Sequence, residues 1–146
     1  MRKIKLTRVI HRENGGYVSL CPELDIASQG DTVREARANL AEAVQGFFEV
    51  ASPREVRDRL TARRYVDTLE ISVAKLRHLS GREVRRILEA HGFVFVCQRG
   101  SHMIMQCRIP GSTITVPIPD HGTLHTGTLM SIIRQCQLSR SLFESP

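Results

Sequence analysis

Residues 79–105 read L-S-G-R-E-V-R-R-I-L-E-A-H-G-F-V-F-V-C-Q-R-G-S-H-M-I-M, and their punctuation decides the fold of the second half of the chain. Ser80 and Glu83 have the spacing of a capping box, in which each side chain satisfies an otherwise unpaired backbone N–H. Val84, Ile87 and Leu88 supply the apolar stripe of a helix, and Gly92 stands where a left-handed residue would end it. Three strands are predicted next, F-V-F-V-C-Q, H-M-I-M-Q-C-R and S-T-I-T-V-P, with turns at Arg99-Gly100-Ser101 and Ile109-Pro110-Gly111. A helix, T-G-T-L-M-S-I-I-R-Q-C, and a short tail, L-S-R-S-L-F-E, complete an αβββα order. G-S-H-M at residues 100–103 has the letters of a cloning scar. It lies deep inside the chain between two apolar runs, however, and is read as native.

Working outward, the first half has its own signals. K-I-K-L-T-R-V-I-H and Y-V-S-L-C are strand-like and flank Asn14-Gly15-Gly16, a good hairpin turn. Pro22 stops the second strand, and L-D-I-A-S supplies a short third. Thr32 and Glu35 again have capping-box spacing. Val33, Ala36, Leu40, Val44 and Phe47 follow at helical intervals, which predicts a helix to about Val50. Ser52-Pro53 opens another helix, with proline in the tolerated first turn, and Y-V-D-T-L-E-I-S-V alternates like a strand. The whole is an α+β chain of two small domains, residues 1–74 in the order βββααβ and residues 75–146 in the order αβββα. A connector of about six residues, 74–79, spans roughly 20 Å at full extension.

Composition narrows the function. No apolar run approaches the roughly 20 residues of a membrane span. The basic N-terminus lacks the apolar region and cleavage site of a signal peptide. Cys21, Cys97, Cys107 and Cys136 form no metal spacing, which fits a reducing, cytoplasmic setting. The net charge of +6 is uneven. Residues 1–74 carry 12 Lys/Arg against 11 Asp/Glu, whereas residues 75–146 carry 9 against 4 and five of the six histidines. That asymmetry points the second half at a polyanion.

Strand parity locates the chemistry. Side chains alternate, so His102 shares a face with Ile104, Gln106 and Arg108, while Met103, Met105 and Cys107 turn toward the helices. His102 thus lies on the more polar face, beside a Gly100-Ser101 turn that lets a substrate backbone come close. Histidine titrates near pH ~6.5 and can take and give protons at cellular pH. RNA carries its own nucleophile, the 2′-hydroxyl. An enzyme need only move two protons and stabilise charge on the phosphate, for which Arg99 and Arg108 bracket the strand. No metal and no cofactor are required.

The same stretch, with T-I-T-V-P-I-P-D-H and G-T-L-M-S-I-I-R-Q, resembles the HicA family of mRNA interferase toxins over about residues 76–143. The resemblance implies a fold like that of double-stranded-RNA-binding domains, whose αβββα order matches. It also implies RNA cleavage by the histidine of the G-S-H motif, His102. His121, in the Pro119-Asp120-His121 block, is a candidate for contact with RNA, as are Arg99, Gly100, Ser101 and Arg108. His78, His91 and His125 match nothing that carries chemistry.

Residues 4–73, with G-G-Y-V-S-L-C-P-E-L-D-I-A-S-Q-G-D-T-V-R-E-A-R-A-N-L-A-E-A-V, resemble HicB antitoxins. That implies a partial RNase-H-like fold which covers the toxin's active site. Glu23, Asp25 and Asp31 do not suit two-metal nuclease chemistry, because Asp31 reads as a helix start and Glu23-Leu24-Asp25 as a turn. The additional DNA-binding segment frequent in HicB proteins is absent, so DNA binding is not implied. Toxin and antitoxin would thus be fused, with His102 covered by the first domain. The cover is intramolecular or reciprocal between two chains; the short connector favours the second, a homodimer. The rivals are a domain that binds RNA without cutting it and a silent scaffold.

Overall fold

The computed structural model describes residues 3–62 and 75–145. Within them the chain is α+β, with two three-stranded antiparallel sheets and four α-helices. The strand expected over 65–73 lies outside the described residues.

The first sheet contains β1 (Val9–Glu13), β2 (Gly16–Cys21) and β3 (Ile26–Gly30) in that spatial order. Asn14 and Gly15 both have positive φ, 47° and 84°, as a two-residue type I′ hairpin requires. β1 begins six residues later than the run from Lys3 suggests. Val9 pairs with Leu20, so Thr7 would face Pro22, which has no N–H for a ladder. Thr7 N instead donates to Glu23 Oε1 at 2.8 Å.

Helix α1 (Val33–Val50) is capped by Thr32, whose hydroxyl accepts from Glu35 N at 3.1 Å. The capping box is only half formed, because the Glu35 carboxylate takes Asp31 N instead of Thr32 N. α2 (Pro53–Thr61) follows, capped by Ser52. Leu40, Ala43 and Phe47 of α1 pack with Cys21, Leu24 and Ile26 into the core of this half.

In the second half α3 (Gly81–Glu89) carries the complete Ser80–Glu83 capping box, and Gly92 has φ +91° where the helix ends. β4 (Val94–Arg99), β5 (His102–Ile109) and β6 (Ser112–Pro119) form the second sheet. A bulge lies in β4 between Phe95 and Cys97. α4 (Thr126–Cys136) and a final 3₁₀ turn, Arg140–Phe143, close the chain. Met103, Met105, Val116 and Ile118 meet Val84, Leu88, Leu129 and Ile132 in a separate core.

The strand parity expected for β5 holds, since Met103 and Met105 face the helices. Directly opposed residues share a face, so Arg99, His102 and Pro119 are grouped, as are Ile104 and Pro117, and Gln106 and Thr115. That face is not open. α1 and α2 lie across it, with Ile104 against Gly46 and the Gln106 amide donating to Val50 O at 2.8 Å.

Candidate functional site

His102 begins β5 because the two-residue turn Gly100-Ser101, with Gly100 at φ +54°, folds Arg99 back onto it. Its side chain is wholly buried, and both ring nitrogens are engaged by the first half of the same chain. Nε2 is 2.8 Å from Ser28 Oγ of β3. Nδ1 is 2.8 Å from Glu42 Oε2 of α1. Burial depresses the His102 pKa, against the opposing pull of the Glu42 carboxylate, so the ring is neutral at pH 7. The contact with Glu42 is therefore a hydrogen bond to a carboxylate and not an ion pair. Partial burial works to raise the Glu42 pKa, but hydrogen bonds from Ser101 and His102 outweigh it and hold the carboxyl below its ordinary range. An ionised carboxylate can only accept, which assigns the ring proton to Nδ1. Nε2 then carries the lone pair, and the Ser28 hydroxyl donates to it.

The Glu42 carboxylate sits in a cradle. Oε2 accepts from Ser101 N at 3.2 Å and Ser101 Oγ at 2.9 Å as well as from His102. A Cβ on Gly100 would stand 1.5 Å from Oε1, so only glycine admits the carboxylate there. Two turns along α1, Glu49 pairs with Arg99 at 2.7 Å. Across β6, the Gln29 amide is 3.3 Å from His121 Nδ1 and donates to Thr123 O at 3.0 Å. Gln29 Oε1 accepts from His125 N.

Arg99, Gly100, Ser101 and His121 therefore gather around His102. Arg108 does not. It is exposed at the far end of β5, six residues and roughly 20 Å from His102, beside a small cleft of about 430 Å³ lined by Val50, Ser52 and Gln106. Sequence reasoning missed the first-half residues Ser28, Gln29, Glu42 and Glu49. The available signals were two polar residues in a short strand of the buried type and a glycine, Gly46, in mid-helix, which marks close approach of another element.

A second polar cluster ties α2 to β6. The buried Glu55 carboxylate accepts from Thr113 Oγ1 (2.6 Å), Thr115 N (2.8 Å), Thr115 Oγ1 (2.9 Å) and Arg59 (2.8 Å). Arg59 also donates to Leu24 O, Thr115 O and Gln135 Oε1, and lies 4.5 Å over the Phe47 ring. Asp25 holds Arg134 of α4 through two 2.8 Å bonds.

The short connector does not force the cover to come from a second chain. The groups that cover His102, Ser28 and Glu42, belong to the same chain. Ser28, His102 and Glu42 have the linear hydrogen-bond order of a serine hydrolase triad. Ser28 and His102 are fully buried, so no substrate can approach the hydroxyl. Among the described residues no group of three or more His, Cys, Asp or Glu is placed to hold a metal, and no helix is long and apolar enough to cross a membrane. All four cysteines are free.

Residues 81–138 match the family model described as the HicA toxin of bacterial toxin–antitoxin. A UPF0150 protein of Synechocystis sp. is 49% identical over 49 residues, which are 32% of this chain and 68% of that protein. No solved structure gives a match.

Proposed function

Since the chain belongs to the UPF0150 family and carries a HicA toxin domain at residues 81–138, we propose that it is a fused toxin–antitoxin protein. In this reading residues 75–146 form a dsRBD-like, metal-independent endoribonuclease of the mRNA interferase type. Residues 1–74, a HicB-like domain of partial RNase-H-like fold, hold it inactive in cis, in the cytoplasm and without need of a second chain.

His102 acts as general base or acid. As base, its Nε2 takes the proton of an RNA 2′-hydroxyl, whose oxygen attacks the adjacent phosphorus. The P–O5′ bond breaks, and the leaving oxygen takes up a proton. Base catalysis of this kind supplies about 10²–10⁴-fold. Arg99 and the Gly100-Ser101 backbone stabilise charge on phosphate, His121 borders the site, and Arg108 extends the basic strand for RNA.

One observation carries the proposal: the lone pair that such a base needs is occupied by Ser28 while Glu42 fixes the other nitrogen. A histidine so engaged cannot accept a substrate proton. The second half has its own apolar core, built from Leu79 to Phe143, so residues 75–146 can be expressed alone. That fragment is expected to cleave mRNA and arrest growth, whereas the intact chain and the fragment with His102→Ala do neither. Equal cleavage by the fragment and its His102→Ala form would refute the catalytic role. Tight RNA binding without cleavage would make it a binding module, and neither binding nor cleavage would make the fusion a scaffold.

A further inference from the structure

The groups that the first half places on the second are not a random set of polar contacts. At His102 Nε2 stands a hydroxyl, Ser28 Oγ, at 2.8 Å. At the Gly100–His102 turn stands a carboxylate, Glu42, held by one main-chain N–H, one hydroxyl and one ring N–H, with no Lys or Arg among those donors. On Arg99 stands a second carboxylate, Glu49. Glu42 and Glu49 are seven residues apart on one helix, so they lie on the same side of α1, roughly 10 Å apart along its axis. Glu13 places a further carboxylate on Gly127 N, in the first turn of α4, with both oxygens at 3.2 Å.

Ordinary charge pairing would match acids to Lys and Arg. Glu42 instead meets a backbone N–H, a hydroxyl and a ring N–H, and Glu13 a backbone N–H beside the His11 ring of its own strand. Backbone N–H and hydroxyl donors are groups that proteins use to hold phosphate oxygens. We infer that the first half imitates a strand of RNA: the Ser28 hydroxyl occupies the position of the substrate's 2′-hydroxyl, and the Glu42 and Glu49 carboxylates occupy the positions of backbone phosphates. RNA and the first half then compete for the same atoms of Arg99, Gly100, Ser101 and His102. The inference rests on the reading of the second half as a ribonuclease and adds the identity of what each covering group replaces. It also accounts for Gly100, where any side chain would close the cradle to an anion.

The test uses the full chain and a short 2′-O-methyl oligoribonucleotide, which lacks the 2′-hydroxyl nucleophile and so is not cut. Glu42→Gln/Glu49→Gln is compared with a charge-matched control, Asp31→Asn/Asp58→Asn, in which both substituted residues are exposed. The first variant should bind the oligonucleotide at least tenfold more tightly than the control at equal salt. It should also show a slope of log K against log salt steeper by about 0.7 per newly engaged phosphate. The amide resonances of Gly100, Ser101 and His102 should move on titration. Equal affinity of the two variants, or perturbed amides elsewhere on the protein, would overturn the inference. If the double variant does not fold, Glu49→Gln, at a half-exposed ion pair, is compared with Asp58→Asn under the same criterion.

Unmodified RNA separates the two ideas. If the analogue binds at Gly100–His102 but RNA is never cut, the catalytic reading fails and the imitation stands. Cutting by a variant whose RNA affinity ignores Glu42 and Glu49 leaves the catalytic reading intact and removes the imitation.

Discussion

Replacing Glu55 by alanine should loosen the seam between the halves without touching the site at His102. The wild-type carboxylate is 7% exposed and accepts four hydrogen bonds, three of them from Thr113 and Thr115 in the other half. Its removal takes one carboxylate acceptor from Arg59, whose side chain is 16% exposed, and breaking a buried pair from one side costs about 3–5 kcal/mol. Arg59 keeps three acceptors and the Phe47 ring, which lowers that figure, but Thr115 N loses its acceptor, which adds about 1–3 kcal/mol. A net cost of about 3–5 kcal/mol follows. On separation of the halves all these groups reach water, so the loss falls on docking and not on either fold. The undocked population should rise by about two to four orders of magnitude, at 1.4 kcal/mol per decade. Native-state hydrogen exchange of the Thr115 and Ser101 amides measures this directly, with urea unfolding as the second readout. Glu55→Leu combined with Arg59→Met should recover only the part of the loss that comes from an unpaired buried charge, because no buried charge remains. A Glu55→Ala protein whose amide protection and stability change by less than about 1 kcal/mol would refute the reasoning.

Acid should weaken the intact protein through His102. The folded pKa of His102 lies below the unfolded value near 6.5. The unfolded chain therefore binds more protons below that pH, and stability is full above it and falls as pH drops from about 6.5. The slope for one proton is at most about 1.4 kcal/mol per pH unit, and His102→Gln should flatten urea midpoints between pH 5 and 7. Gly100→Ala forces a side chain into the left-handed region, costing about 1–2 kcal/mol, and drives out the Glu42 carboxylate. Urea denaturation should show the larger, combined loss, and a prior Glu42→Ala should reduce it to the backbone part. Arg134→Ala removes only a half-exposed ion pair, so its thermal midpoint should correspond to a loss under about 1 kcal/mol.

What the sequence made legible was whatever depends on near neighbours. Ser80 and Glu83, Asn14-Gly15 and Gly100-Ser101 specify their cap and turns locally, and the structure contains each of them. Parity in β5 needs only the alternation of Met103 and Met105 against Ile104 and Gln106. Relations across the seam could not be read this way. Glu55 has capping-box spacing from Ser52, which suggests a local role, yet its carboxylate crosses to Thr113 and Thr115 because a second sheet offers better donors. Glu42 is one acid on an amphipathic helix until β5 lies against it. The polar character of His102's face was legible, but not its enclosure, since Ser28 lies 74 positions away.

The division of residue types across the molecule bears on how it could open. Apolar clusters lie within each half, and the buried polar side chains Ser28, Gln29, Glu55, His102 and Thr115 lie along the seam between them, with Ile104 against Gly46 as an apolar contact there. Separating two apolar faces would cost about 25 cal/mol for each Å² exposed. Separating hydrogen-bonded groups costs less, because water replaces the lost partners and the net worth of each bond is about 1 kcal/mol. The covalent connection makes docking unimolecular, so the docked fraction is independent of protein concentration. Dilution should therefore leave amide protection at Ser101 unchanged. Salt, which screens Glu49 and Arg99, and pH below about 6.5, which charges His102 once it is released, should both lower it. A concentration-dependent loss of Ser101 protection would instead mean that the cover comes from a second chain.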